Sequence, residues 1–109
     1  MDNSFTVTAW NNGHHNKSGA GYGLKISVTD RDNYFKKTTK SVILLLEGKK
    51  NAISVNIDKP SFWNPVCREL ISKDIGVWLI ENKMAKWKAG HPPKISMISK
   101  GKNQFLLKK

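Results

Sequence analysis

The stretch SVILLLEGKKNAISVNI, residues 41–57, decides the fold class of this chain. Its first six residues, 41–46, form a continuous apolar run of strand length, which is typical of a central strand covered on both faces. The segment EGKKN then turns the chain into Ile53, Val55 and Ile57, which alternate with other residues as in a half-buried strand. The two runs together predict a β-hairpin.

Two further strands are predicted before this hairpin. SFTVTAW, residues 4–10, places Phe5, Val7 and Ala9 on one face of a strand and the intervening residues on the other. A second alternating set follows, made of Tyr22, Leu24, Ile26 and Val28. Residues 30–40 show no clear periodicity, and we expect them to be the least structured part of the chain.

The hydrophobic period changes after the hairpin and predicts two short helices. The pair Asn64-Pro65 is a good helix start, because asparagine can cap and proline at the first helical position loses no hydrogen bond. It predicts a helix over residues 65–72. Ser72 or Asp74 is then expected to cap a second helix that ends near Met84.

The C-terminal segment returns to a strand pattern. Residues 90–93, GHPP, end all helical structure, and residues 94–109 predict a hairpin of strands 95–98 and 104–107. The predicted order is therefore ββββααββ. This order indicates a single α+β domain over residues 1–109, with a mainly antiparallel sheet of about five to six strands and two short helices between strands 4 and 5.

Length and residue content narrow the protein class. A chain of 109 residues fits one domain, and its single cysteine, Cys67, excludes an internal disulfide. No apolar run approaches the roughly 18 residues that span a bilayer, and the start MDNS has neither a basic nor an apolar signal region. We therefore expect a cytoplasmic protein that does not act at a membrane.

The charge is strongly positive and unevenly distributed. The formal net charge is +11, and residues 83–109 contain eight lysines and no acidic residue. Such a segment favours a polyanionic partner. An AT-rich coding sequence would also enrich the chain in lysine, asparagine and isoleucine, so the charge alone leaves a second explanation open.

Nucleic-acid binding is the leading prediction from this charge. The phosphate contacts are assigned to Lys83, Lys86, Lys88, Lys94, Lys100 and Lys102. Trp87 lies within this segment and offers an aromatic face on which an unpaired base can stack. Because lysine supplies a point charge rather than a bidentate fork, we expect weak sequence specificity, and the sequence does not separate DNA from RNA.

The glycine-rich stretch WNNGHHNKSGAGYGLK, residues 10–25, does not match a nucleotide-binding loop. A phosphate-binding loop ending at Lys17-Ser18 would need glycine where Asn11 and Asn16 stand. The later glycines have the wrong spacing for a dinucleotide loop and lead into a strand instead of a helix. The stretch therefore predicts a long turn, or a close approach of another part of the chain.

The two adjacent histidines of that stretch do not complete a metal site. His14 and His15 would point apart on a strand and lack the spaced histidine or cysteine partners of a zinc site. We therefore predict no metal and no cofactor.

A small hydrolase or nuclease is the second hypothesis. His14 or His15 would act as the general base, and Asp30 and Asp32 would hold a cation or orient the imidazole. The competing explanation is a turn in which both carboxylates pair with Arg31. We therefore lean towards a protein without enzymatic activity and predict no catalytic residue.

A protein-interaction module is the third hypothesis. An exposed Trp10 or a free strand edge would recruit a partner or a second copy of the chain, so a homodimer is left open. Cys67 as a nucleophile is weaker than any of these, because the sequence places it on the apolar side of a helix.

Overall fold

The computed structural model describes residues 3–109, which form seven strands and three short helices. The strands are β1 (Ser4–Asn11), β2 (Tyr22–Lys25), β3 (Ser41–Leu46), β4 (Ile53–Asn56), β5 (Glu69–Ile71), β6 (Lys94–Gly101) and β7 (Gln104–Lys108). The helices are α1 (Val28–Tyr34), α2 (Pro60–Trp63) and α3 (Lys73–Glu81). The predicted mixed α+β class is confirmed, and its mainly antiparallel sheet is present.

All seven strands belong to one sheet with the order β4-β3-β7-β6-β1-β2-β5. Every neighbouring pair is antiparallel except β3 and β7, which run parallel. The two edge strands β4 and β5 contact each other, so the sheet curls into an almost closed barrel. The structure has seven strands and three helices, so the predicted five to six strands and two helices fall short by at least one strand and by one helix.

The inward face of the sheet forms the hydrophobic core. Alternate residues of each long strand point inward, as the period of two requires, and they are almost completely buried. Examples from the described strands are Val7, Leu24, Leu44, Ile95 and Leu107. The opposite faces of β1 and β6 are mostly polar and exposed, so one surface of the sheet remains open to solvent.

The helices close the two ends of this barrel. At the end where β1, β3 and β7 begin, Phe35 and Phe62 pack against each other, and Phe35 stacks on Phe105 with ring centroids 4.7 Å apart. At the other end, α3 packs against β2, and the Trp78 indole donates to the Glu47 carbonyl that follows β3. Each end therefore has its own set of covering side chains.

The prediction of an unstructured segment over residues 30–40 is wrong at its beginning. The chain leaves β2 at Lys25 and starts α1 at Val28, which had been assigned to the strand. Ser27 caps the helix by accepting from the Asp30 N–H, and its hydroxyl donates to the Asp30 carboxylate. This reciprocal cap stabilises a seven-residue helix that alternation alone does not reveal.

The predicted helix over residues 65–72 is also wrong. The short helix α2 lies before Asn64, whose side chain accepts from the Val66 and Cys67 N–H groups and turns the chain. Arg68 then adopts a positive φ of 59°, and β5 follows directly. The segment therefore enters the sheet beside β2 instead of forming a helix.

The remaining elements follow the predictions closely. The hairpin from residues 41–57 is the β3–β4 pair, and the C-terminal hairpin is the β6–β7 pair. The second predicted helix is α3, with Ser72 as its cap, although it ends at Glu81 rather than near Met84. In these segments the local pattern of apolar residues and the local helix cap are enough to predict the strands and the helix from the sequence.

Candidate functional site

The glycine connection, residues 12–21 between β1 and β2, is a structural element that packs on α3. A Cβ atom added at Gly76 of α3 would lie 2.0 Å from the Gly19 carbonyl oxygen. Gly19 itself has a positive φ of 89°, and a Cβ atom there would lie 2.8 Å from the Lys73 carbonyl oxygen. The two glycines therefore allow the connection and the helix to touch backbone to backbone, which confirms the predicted close approach.

His15 forms the centre of an aromatic cluster at the end of this connection. Its Nδ1 is hydrogen-bonded to the Tyr22 hydroxyl at 2.8 Å, and the Asn11 amide nitrogen lies 3.2 Å from its Nε2. The Trp87 ring stands edge-on against the imidazole, with centroids 4.7 Å apart. The fold thus brings together His15 and Trp87, which the sequence had placed in two separate hypotheses.

A cavity of about 450 Å³, the aromatic cavity, opens beside this cluster. Its lining consists of His15, Asn16, Lys17, Tyr22, Ile80, Ala85 and Lys86. Tyr22 is only 1% exposed, and burial raises the pKa of its hydroxyl. The cavity therefore has an aromatic and aliphatic wall beside two lysines.

The other residues of the enzymatic hypothesis are engaged elsewhere. His14 is exposed, and its backbone N–H donates to the Asn12 side chain. Asp30 belongs to the cap of α1, while Asp32 pairs with Arg31 at 3.1 Å. Neither aspartate lines the aromatic cavity around His15.

Arg31 is 7% exposed, and its guanidinium has a structural role. It donates to the Phe62 and Asn64 carbonyls and lies 5.4 Å from the centre of the Trp63 ring. These contacts fasten α1 to α2. Cys67, which the sequence placed on the buried side of a helix, is half-buried in the turn before β5.

The lysines predicted to bind phosphate are distributed over both ends of the sheet. Lys83, Lys86 and Lys88 are exposed in the segment after α3, and Lys94 begins β6. Lys100 lies six residues further along the same strand, at a distance of about 20 Å for a strand rise of ~3.3 Å per residue. Lys102 follows it in the turn between β6 and β7.

The open face of the sheet carries a second set of cations around Lys94. Thr8 of β1 lies between Lys94 of β6 and Lys25 of β2 in the cross-strand register. Side chains directly opposite each other share one face, so both lysines flank the Thr8 hydroxyl, which is 3.5 Å from the Lys94 ammonium. The three side chains form a row across three adjacent strands.

Arg68 joins this row and completes a basic groove of about 380 Å³. The groove is lined by Thr6, Thr8, Lys25, Ile26, Ser27, Arg68 and Lys94. Arg68 Nε donates to the Ile26 carbonyl at 2.7 Å and Nη1 donates to the Pro65 carbonyl, so the guanidinium is held in place. Three cations and three hydroxyl groups, and no carboxylate, are among the groove's lining residues.

One carboxylate lies next to the groove. Glu69 of β5 is the register partner of Lys25 and is 8% exposed. Its charge also acts on Lys59, where burial lowers the pKa and the Glu69 carboxylate opposes that shift. Glu69 therefore interacts with two cations, Lys25 and Lys59.

Sequence reasoning missed most of the groove residues. The sequence predicts Thr6, Thr8 and Lys25 on the polar faces of their strands, but it gives the two threonines no functional role and Lys25 only a role in stabilising phosphate charge under the hydrolase hypothesis. The signal that could have identified them is the alternation itself, which places them on the open face. Arg68 could not be found in this way, because its segment was predicted to be helical.

Comparisons with protein-family models, with curated proteins and with solved structures gave no match to this chain. Within residues 3–109, no group of three or more His, Cys, Asp or Glu side chains is placed to hold a metal ion. In the same part of the chain, no helix has the length and apolar character needed to cross a membrane.

Proposed function

We propose that this protein is a small basic nucleic-acid-binding domain with weak sequence specificity, and that the basic groove is its main contact with the sugar-phosphate backbone. The observation that carries the proposal is the row of Lys94, Thr8 and Lys25 across β6, β1 and β2, extended by Arg68. Lysine, arginine and hydroxyl groups are the side chains that most often contact phosphate oxygens.

The surroundings of the groove support this assignment. It opens on the exposed face of the sheet, and Lys94 belongs to the C-terminal segment that concentrates the positive charge. Lys86 and Lys88 add charge near the end of the sheet where Lys94 begins β6, and they would extend the contact along the strand of a nucleic acid. Long-range attraction by a net charge of +11 would also accelerate association.

The same geometry explains the expected weak specificity. Reading of a base edge requires a side chain that is free to make paired hydrogen bonds in a groove of the nucleic acid. The Arg68 guanidinium already donates to two backbone carbonyls, and the lysines offer single charges. The groove therefore fits backbone phosphates better than base edges.

Salt-dependent binding tests the proposal. Fluorescence anisotropy with duplex and single-stranded oligonucleotides should give, for about four duplex phosphate contacts, a slope of log affinity against log salt near −3.6 at ~0.9 per contact. The double variant Lys25→Gln/Lys94→Gln should bind more weakly and lower that slope by about 1.8.

The matched control removes the same charge at exposed lysines outside the groove, Lys36→Gln/Lys40→Gln. It should lose clearly less affinity than the groove variant. Equal losses in both variants would show diffuse attraction without a site, and no binding to either oligonucleotide at low salt would refute the proposed function.

A further inference from the structure

We propose that the aromatic cavity is a nucleotide site, in which a planar base lies against the wall formed by His15 and the aliphatic side chains of Ile80 and Ala85 while its phosphate binds between Lys17 and Lys86. For a free nucleotide this inference stands without the basic groove. It rests on the proposed function only where the nucleotide is an unpaired residue of a nucleic-acid chain.

The size and lining of the cavity fit this ligand. Its volume of about 450 Å³ lies within the ~300–1,000 Å³ range of small-molecule sites, which are mostly apolar with a few polar groups. Ile80 and Ala85 supply apolar surface, and His15 supplies an aromatic ring that the buried Tyr22 supports from behind through its hydrogen bond. Aromatic side chains bind any base through its π face, so the site does not require one particular base.

The wall of the cavity is already ordered by contacts within the protein. Hydrogen bonds with the Tyr22 hydroxyl and the Asn11 amide hold the His15 imidazole, and the Trp87 ring packs edge-on against both His15 and Tyr22. A ligand that binds there does not have to order these rings, which lowers the entropic cost of binding.

The charge of the rim selects an anion. Lys17 and Lys86 are exposed side chains from two different segments, the glycine connection and the segment after α3. The lining includes no carboxylate to compete with a phosphate. An apolar wall beside two cations is complementary to a base that carries a phosphate, and not to either group alone.

The first experiment separates the two halves of the ligand. Isothermal titration calorimetry should show that adenosine 5′-monophosphate binds at about 1 mM or below, and about tenfold more tightly than adenosine or inorganic phosphate. Lys17→Gln/Lys86→Gln should reduce monophosphate binding to the level of adenosine. Lys36→Gln/Lys40→Gln, which removes two exposed lysines elsewhere, should leave it unchanged.

The second experiment identifies the source of the nucleotide. A duplex with one unpaired bulged base is compared with the fully paired duplex. A preference for the bulge that Lys17→Gln/Lys86→Gln abolishes would show that the cavity takes a nucleotide from a nucleic-acid chain. Monophosphate binding without that preference would identify a free nucleotide as the ligand.

The groove variant distinguishes failure of the nucleotide site from failure of nucleic-acid binding at the basic groove. Lys25→Gln/Lys94→Gln should still bind adenosine 5′-monophosphate normally, even if duplex binding is lost or was never present. No binding of the monophosphate at about 1 mM, together with equal affinity for bulged and paired duplexes, would overturn the nucleotide site. Lys17, Lys86 and Lys94 are exposed and Lys25 is half-buried, and thermal unfolding should confirm that each variant is folded.

Discussion

The Tyr22 hydroxyl combines burial with a single well-defined partner. It is hydrogen-bonded to His15 at 2.8 Å, and the residue is 1% exposed. Burial disfavours the phenolate, which is the cause of the raised pKa. Stability should therefore depend on the protonation of this one side chain at alkaline pH.

The variant Tyr22→Phe tests this dependence. Below the ordinary tyrosine pKa of 10.0 the hydroxyl is protonated in both states, and we expect the wild type to be more stable by about 1 kcal/mol because of its hydrogen bond. Above that pH the unfolded chain loses its proton first, so the advantage of the wild type should shrink until the pH passes the folded pKa. Urea unfolding at several pH values measures the difference, and a difference that stays constant would contradict the assignment.

At the scale of single elements, Asn64 determines how the chain enters β5. Its side chain oxygen accepts from the Val66 N–H at 2.8 Å and from the Cys67 N–H. The pair Asn64-Pro65 resembles a helix start in sequence, but here the same hydrogen bonds close a turn. The competing helix would remove β5 from its place beside β2.

Asn64→Ala should therefore destabilise the protein by about 1–2 kcal/mol, since two backbone donors lose their acceptor. Asn64→Asp keeps an acceptor oxygen and should recover most of that loss. Chemical denaturation followed by circular dichroism gives both values. An alanine variant as stable as the wild type would show that the turn is fixed by other contacts.

Sequence reasoning succeeded where the deciding information is local. The continuous apolar run of β3, the alternation of β1 and the Ser72 cap of α3 each lie within a few residues. It failed for β5, because that strand depends on a distant residue: a Cβ atom at Gly23 would lie 2.4 Å from the Leu70 carbonyl. Gly23 permits the pairing, and nothing near Leu70 in the sequence indicates it.

Less of the basic groove than of the fold could be predicted from the sequence. The density of lysines along the chain pointed to Lys94, which lines the basic groove. It also included Lys100, which lies at the opposite end of the same strand. The two other groove cations, Lys25 and Arg68, come from segments of mixed charge, and only the order of the strands brings them beside Lys94.

At the scale of the whole molecule, the hairpin of β6 and β7 occupies the middle of the sheet. β6 pairs with β1, and β7 pairs with β3, so the hairpin joins the two groups of strands that precede it in the chain. It also contributes buried side chains to the core, among them Ile95, Met97 and Phe105.

A chain shortened to residues 1–93 should therefore lack a cooperative unfolding transition, because β1 and β3 lose their connecting strands. Adding the peptide of residues 94–109 should restore near-ultraviolet circular dichroism and a urea transition. A shortened chain that unfolds cooperatively without the peptide would show that the remaining strands form a stable unit.

The central position of this hairpin has a consequence for biosynthesis. A ribosome releases the strands in chain order, so β1 to β5 emerge before the two strands that unite them. Until β7 leaves the ribosomal tunnel, the edges of β1 and β3 that pair with β6 and β7 have no partner and are open to aggregation or to a chaperone. The nascent chain must therefore complete its fold after translation has passed residue 108.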